Sequence, residues 1–370
     1  MELPNFFANI TDPRIDRCKK HLLCDIIGIA LCATIAGAEN FVEMEDYAKE
    51  KATLLRTFLE LPNGIPSHDT INRLFQAINP AEFADCLISW GKELVGFLKD
   101  KQVCLDGKTL RGTGKGQGKS AGIVLLSAWV SQEGLTIGQS EVDEKTNEIT
   151  VLPEVLKSLD LEGALVSVDA MGCQREVASQ VVGQKGDYLL ALKGNQGDLQ
   201  QQVQDFMQRF KNTDKVSSSQ QTDIGHGRIE TRKCFISNDL SWIDNAPLWK
   251  SLTTLVMVES TREFKNSSKK TETETRYYIS SRMSTPEEMG QAVRNHWGIE
   301  NQLHWYLDVA FAEDHCRARS GNAAQNLSTL RKIILQLLLK APMKGSVKRK
   351  RLKAAWNDDY MAKLLNELRF

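Results

Sequence analysis

Apolar residues recur at helical spacing over roughly the first hundred positions and at strand spacing after them. The longest apolar run, 22–38, is interrupted by Asp25 and reads as a buried helix ending near Gly37. Met44, Tyr47, Ala48, Leu54, Leu55 and Phe58 mark an amphipathic helix within 41–59. Pro62-Asn63-Gly64-Ile65-Pro66 breaks that pattern, and Ser67 can then cap a short helix over 69–78. A further amphipathic stretch covers 80–98. A helix, a turn and a short polar-faced helix could present His68, Asn72, Arg73 and Gln76 to DNA, although small helical units of this outline are common without it.

From Lys101 the texture becomes α/β. Strands are expected at 103–105, 123–130 and 135–142, the last two joined by the turn Ser131-Gln132-Glu133-Gly134. A helix over 149–159, a strand at 164–168, a helix at 174–182, a strand at 188–192 and a helix at 197–210 follow. This order predicts a mixed sheet with helices on its faces, an α/β fold behind an all-α N-terminal region. Residues 213–283 then read as a β-rich insertion, with strands at 224–232, 252–259 and 275–281. Thr285-Pro286-Glu287-Glu288 is a capping box with proline at the first helical position, opening a helix that should reach Glu300. A final apolar helix spans 327–339. The divisions expected are therefore 1–98 (helical), 99–212 (first part of the core), 213–283 (insertion), 284–340 (rest of the core) and 341–370 (a basic tail).

Charge alters this picture only locally. The 370 residues carry 47 basic and 47 acidic side chains, so no global basicity announces nucleic acid. Residues 341–370, however, hold eight Lys and Arg, among them Lys348, Arg349, Lys350 and Arg351, against three acids. Such a patch could touch phosphate, or could simply be a solvated face. The eight cysteines show no CxxC pair and fit a reducing cytoplasm rather than a disulfide framework. The 22–38 run is short for a membrane span, and neither a signal peptide nor an anchor is expected.

The candidate chemistry lies in three acids. Asp106 follows the apolar run Val103-Cys104-Leu105, Asp169 follows Leu165-Val166-Ser167-Val168, and Glu300 lies in the helical stretch His296-Trp297-Gly298-Ile299-Glu300-Asn301. Two carboxylates at strand ends and one on a helix can converge on a pair of divalent ions, as phosphoryl transfer uses. Magnesium favours such hard oxygen ligands. His296 and His304 flank Glu300 at four-residue spacing, so a zinc stripe is a weaker alternative. Residues 112–120 look like a phosphate loop, but Thr113 stands where the pattern needs glycine. A basic loop with Lys108, Arg111, Lys115 and Lys119 beside Asp106 fits better as a contact to a DNA backbone. Lys193 should reach the same sheet edge as Asp169 if their strands are neighbours.

Several of these motifs together resemble the H-repeat-associated insertion-sequence transposases. They are Asp106-Gly107-Lys108-Thr109-Leu110-Arg111-Gly112, Val168-Asp169-Ala170-Met171-Gly172-Cys173-Gln174, Asp187-Tyr188-Leu189-Leu190-Ala191-Leu192-Lys193-Gly194-Asn195-Gln196 and Arg294-Asn295-His296-Trp297-Gly298-Ile299-Glu300-Asn301. Glu144-Lys145-Thr146-Asn147-Glu148-Ile149, His226-Gly227-Arg228-Ile229-Glu230 and Gly64-Ile65-Pro66-Ser67-His68-Asp69-Thr70 extend the match over nearly the whole chain. The resemblance implies a DDE transposase with a ribonuclease H-like core and a helical associated domain. Asp106, Asp169 and Glu300 would be its catalytic, metal-binding triad, holding magnesium or manganese. Its partners would be DNA, as element ends and target, and further copies of itself. Lys108, Arg111, Lys193, Arg294, His296 and the basic C-terminal residues would contact phosphate, with Asn147 and Glu148 supporting the site. A catalytically inactive DNA-binding remnant is the alternative. Related transposases with a β insertion carry Tyr, Arg and Lys around the glutamate, where this chain has Val293, His296 and Leu307. Only His296 keeps a side chain able to carry positive charge, so the DNA contacts near Glu300 must differ.

Overall fold

The structure is a computed structural model that describes residues 6–114, 122–142, 148–225, 227–265 and 270–368. Lys115, Lys119, Asn147, His226 and Arg369 lie outside the described residues. The N-terminal helices are α1 (Leu23–Ala36), α2 (Phe41–Glu50), α3 (Ala52–Leu55), α4 (His68–Ala77) and α5 (Pro80–Val95). Strands β1 (Gln102–Leu110), β2 (Ile123–Val130) and β3 (Leu135–Val142) come next, then α6 (Glu148–Lys157), β4 (Leu165–Val168), α7 (Arg175–Gly183), β5 (Asp187–Leu192) and α8 (Gly197–Phe210). Four long strands follow: β6 (Ser217–Gly225), β7 (Arg228–Ser237), β8 (Thr254–Phe264) and β9 (Glu272–Ser280). The chain closes with α9 (Pro286–His296), a π-helical turn (Ile299–His304), α10 (Trp305–Phe311), α11 (Ala323–Lys340), α12 (Val347–Trp356) and α13 (Asp358–Leu365).

All nine strands form one sheet, in the order β3-β2-β1-β4-β5-β9-β8-β7-β6. β4 runs parallel to β1 and β5, and every other pairing is antiparallel. The four strands of 217–280 therefore extend the core sheet through β9 beside β5, and no second sheet stands apart from it among the described residues. Period-two alternation divides the core. Leu190, Leu192 and Ile279 pack with α6, α7 and α8, while Leu189, Tyr278 and Val258 pack with Met289, Ala292 and Val293 of α9. A third apolar cluster joins the N-terminal helices to α10, α11, α12 and α13.

Two expectations need correction. β1 does not stop at Leu105: it continues to Leu110, paired with β2 from Val103↔Val130 to Leu110↔Ile123. Asp106 is thus in mid-strand, one residue past the last parallel pair Leu105↔Val168. Nor is 341–370 a tail. α12 and α13 bury Val347, Ala354, Met361, Leu364 and Leu365 against the helical core. Lys350 Nζ donates to the carbonyls of Leu338 (2.6 Å) and Ala341 (3.0 Å), at the end of α11. Arg351 Nη2 donates to Thr34 O (2.9 Å) and Nε to Ile35 O (3.3 Å), at the end of α1. Its guanidinium lies over Phe311, 4.5 Å from the ring centre. Both cations bond carbonyls at helix C-termini, where the helix dipole favours them, which turns them toward the helical core. Lys348 and Arg349 remain exposed. No single helix among the described residues is long and apolar enough to cross a membrane.

Candidate active site

Alternate side chains of β1 face the helical segment 286–311, and each meets it further along. Gln102 Nε2 donates to Ala292 O (2.8 Å), and Cys104 Sγ lies 3.6 Å from Asn295 O. Asp106 Oδ2 stands 3.5 Å from His304 Nδ1, and Lys108 Nζ donates to Asp308 (2.7 Å). The helix that carries Glu300 is thereby docked along the strand that carries Asp106. Gly298 permits that approach, because a Cβ there would come within 2.8 Å of the Trp129 ring. A π-helical turn then spans Ile299–His304 and sets the direction of Glu300. Such turns inside α-helices often mark functional sites.

Asp169 leaves the end of β4, beside Leu105↔Val168. Its Oδ1 accepts from the backbone N–H of Met171 (3.1 Å) and Gly172 (3.2 Å), which fixes the carboxylate in a turn. Glu148 opens α6 and is the fourth acid of the group. A Cβ on Gly107 would overlap the Glu148 carboxylate, so the glycine after Asp106 admits that side chain to the site.

These acids act on one another electrostatically. Burial raises the Asp106 pKa to about 8, reinforced by the negative charges of Glu300, Asp169 and Glu148. Glu148 is raised by burial and by Asp169. Glu300 is raised by burial, with Arg276 opposing and Asp169 adding to the shift. No group of three or more His, Cys, Asp or Glu side chains among the described residues is arranged to hold a metal ion as it stands. The donor set nevertheless suits a divalent cation: carboxylates that raise one another's pKa are stabilised by added positive charge. The histidines do not support zinc as a stripe. His296 Nδ1 hydrogen-bonds Ser167 Oγ (3.0 Å), whereas His304 turns to Asp106, and its Nε2 is buried without a partner.

The expected phosphate contacts separate into two groups. Lys193 follows β5 and is exposed near the Asp169 turn, since β4 and β5 are neighbours and Asn195 Nδ2 donates to Ala170 O (2.6 Å). Arg111 is exposed and lies 3.5 Å from Asp314, while Arg294 is exposed and paired with Asp223 at 2.8 Å. Lys108 belongs to neither surface. It is 8 % exposed and held by Asp308 (2.7 Å), Asp314 (3.1 Å) and Glu313 (3.4 Å), so it is an internal cation and not a DNA contact. His296 is hydrogen-bonded to Ser167, and burial lowers its pKa to about 4. Of the helical residues expected to face DNA, Gln76 is bonded to Asn72 (2.8 Å), while His68 and Arg73 are both exposed, His68 bonded to Glu45 (2.6 Å) and Arg73 3.9 Å from Asp69.

Comparison with known proteins gives the family. Residues 98–337 match the family described as Transposase DDE domain, and residues 5–91 match the one described as DDE_Tnp_1-associated. The chain belongs to the DDE transposase family. Its sheet and flanking helices are therefore the ribonuclease H-like core of that family, with the associated helical region before it. It is 39 % identical to the "H repeat-associated putative transposase YhhI" of Escherichia coli K12, over 99 % of this chain and 98 % of that protein. It is 40 % identical to the "Putative transposase YncI" of Escherichia coli O157:H7, over 98 % and 94 %. A shorter match, 41 % identical over 15 % of this chain and 64 % of its relative, is to the "Inactive transposase YbfQ" of Escherichia coli K12. Family membership ties the chain to DNA transposition and insertion-sequence recombination, and to the divalent metals this family generally uses.

Proposed function

We propose that this DDE transposase cuts DNA at the ends of its element and joins the freed 3′-hydroxyl to target DNA. What supports the reading is the electrostatic coupling of Asp106 to Glu300, Asp169 and Glu148, whose mutual repulsion favours a bound cation. Asp106, Asp169 and Glu300 would hold magnesium, or manganese in its place, with Glu148 beside them. A divalent metal bound there would supply Lewis-acid stabilisation of the phosphate and an activated water. The chain's own residues do the positioning. β1 carries Asp106 where it pairs with β2, one residue past its pairing with β4, the turn after β4 would aim Asp169, and the π-helical turn would present Glu300 to them. Water and a DNA 3′-hydroxyl are both oxygen nucleophiles in an in-line displacement at phosphorus, so one acid cluster can serve both steps. Arg111, Lys193, Arg294, Lys348 and Arg349 are the exposed cations proposed to meet phosphate, on a multimer that pairs two ends.

The test is a duplex carrying the sequences that flank the protein's own gene, with supercoiled target and magnesium, beside Asp169→Asn. Cleavage and joining by the native protein, lost in the variant, are the expected result. Binding without cutting, in magnesium and in manganese alike, would replace this reading with that of a DNA-binding remnant.

A further inference from the structure

The same alternation that packs β7, β8 and β9 on α9 continues beyond the apolar cover. Past Cys234, Val258 and Tyr278, the strand face carries Arg228, Glu230 and Arg232 on β7, Ser260 and Arg262 on β8, and Glu274 and Arg276 on β9. With Arg294, Trp297 and Glu300 opposite, these residues enclose a groove of about 810 Å³. Five arginines line it against three carboxylates, Asp223, Glu230 and Glu274, before Glu300 is counted. Glu230 is shared by Arg232 (2.7 Å), Arg262 (3.1 Å) and Arg228 (3.6 Å), and Asp223 by Arg232 (2.7 Å) and Arg294 (2.8 Å). These acids hold the guanidinium groups in place without neutralising them all.

Arg276 stands out within the groove. Its Nε donates to Glu274 (2.8 Å), and its guanidinium lies over Trp297, 4.0 Å from the ring centre. Stacking and a carboxylate partner fix the planar fork, so little freedom is lost when it binds an oxyanion. Trp297 is three residues before Glu300, and both line the same groove. From the helix, Arg294 also lines the groove, but it is held by Asp223 (2.8 Å), and His296 is bonded to Ser167.

Resting on the reading of the protein as a DNA-cutting transposase, we infer that the arginine groove seats the phosphate backbone of the DNA strand entering the acid cluster. Arg276, supplied from β9 across the groove, is the residue that positions the phosphate beside Glu300. The sheet thus adds a fixed cation to the one, Arg294, that the glutamate helix brings to the groove.

The test uses the full chain and end-bearing DNA in EDTA, with affinity measured between 50 and 200 mM salt, followed by cleavage in magnesium. Each phosphate contact contributes about 0.7–0.9 to the slope of log affinity against log salt. Arg276→Ala is expected to lower that slope by this amount and to weaken binding roughly tenfold at the lower salt. Arg276→Lys should restore the slope, but not cleavage at saturating DNA, because it lacks the fork. An Arg276→Ala protein with native affinity and slope, in a preparation whose native form cuts, overturns the groove and leaves the transposase standing. A native protein that never cuts, yet shows the Arg276-dependent slope, removes the catalytic reading and keeps the groove. A native protein that binds no DNA at all overturns both.

Discussion

At the scale of single residues, Asp106 is the costliest side chain in the site. Its folded pKa of about 8 lies well above the ordinary 3.8, through burial first and neighbouring acids second. Between these values the unfolded chain has lost the proton and the folded chain keeps it, so the stability linked to Asp106 falls as pH rises from about 4 to 8. Asp106→Asn removes that dependence. In EDTA at pH 8 the variant should be more stable than the native protein by roughly 1–3 kcal/mol, with the difference vanishing near pH 4. Magnesium should raise the native melting temperature and leave that of the variant nearly unchanged. Thermal unfolding at the two pH values, with and without magnesium, checks this. A variant less stable than the native protein at pH 8 would mean that Asp106 has a structural role and is not under electrostatic strain.

At the scale of elements, the joint between β1 and the Glu300 helix is held by Lys108. Burial alone would lower its pKa, but the charge of Glu313 and the hydrogen bonds to Asp308 and Asp314 raise it overall. A raised lysine contributes its full stability below the ordinary 10.5 and loses it only above, so this clamp is constant across the physiological range. Lys108→Met keeps the volume and leaves three carboxylates facing one another. It should cost roughly 3–5 kcal/mol at pH 8, part of it regained toward pH 5 as those acids take up protons. Urea unfolding at both pH values measures it; a loss independent of pH would assign the effect to packing. This joint also shows what the sequence could and could not tell. β2, β3 and α8 were legible to their ends, β2 and α8 by their apolar patterns and β3 by the turn that joins it to β2. Residues 106–109 of β1 were not, since Asp-Gly-Lys-Thr looks like a loop while its backbone pairs with β2. The three acids were singled out by their settings and by resemblance, although Asp106 stands in mid-strand and not at a strand end. The role of Lys108 could not, because its partners lie about 200 positions away. The alternating Arg228-Ile229-Glu230-Thr231-Arg232 and Glu274-Thr275-Arg276 carried a period-two signal for one charged face, but nothing local showed that Glu300 would line it.

At the scale of the whole molecule, the basic C-terminal segment divides into two kinds of cation that composition cannot tell apart. α12 packs between the ends of α1 and α11, turning Lys350 and Arg351 onto their last carbonyls and leaving Lys348 and Arg349 in solvent. Arg351 ties the C-terminal helices to α1 in one helical core, which also includes α10, the helix that follows the Glu300 turn. Arg351→Ala removes two hydrogen bonds to carbonyls and the guanidinium stacked on Phe311. It should therefore destabilise the protein by roughly 2–3 kcal/mol. Its DNA affinity, measured well below the melting temperature, should keep the native salt slope. The double variant Lys348→Ala/Arg349→Ala should do the reverse: an unchanged melting temperature and, if both cations meet phosphate, a slope reduced by about 1.4–1.8. Melting curves and salt titrations on the two variants decide the assignment. A lowered slope in Arg351→Ala without loss of stability would return that residue to the DNA surface. An unchanged slope in the double variant would confine DNA contact to the active-site side of the molecule.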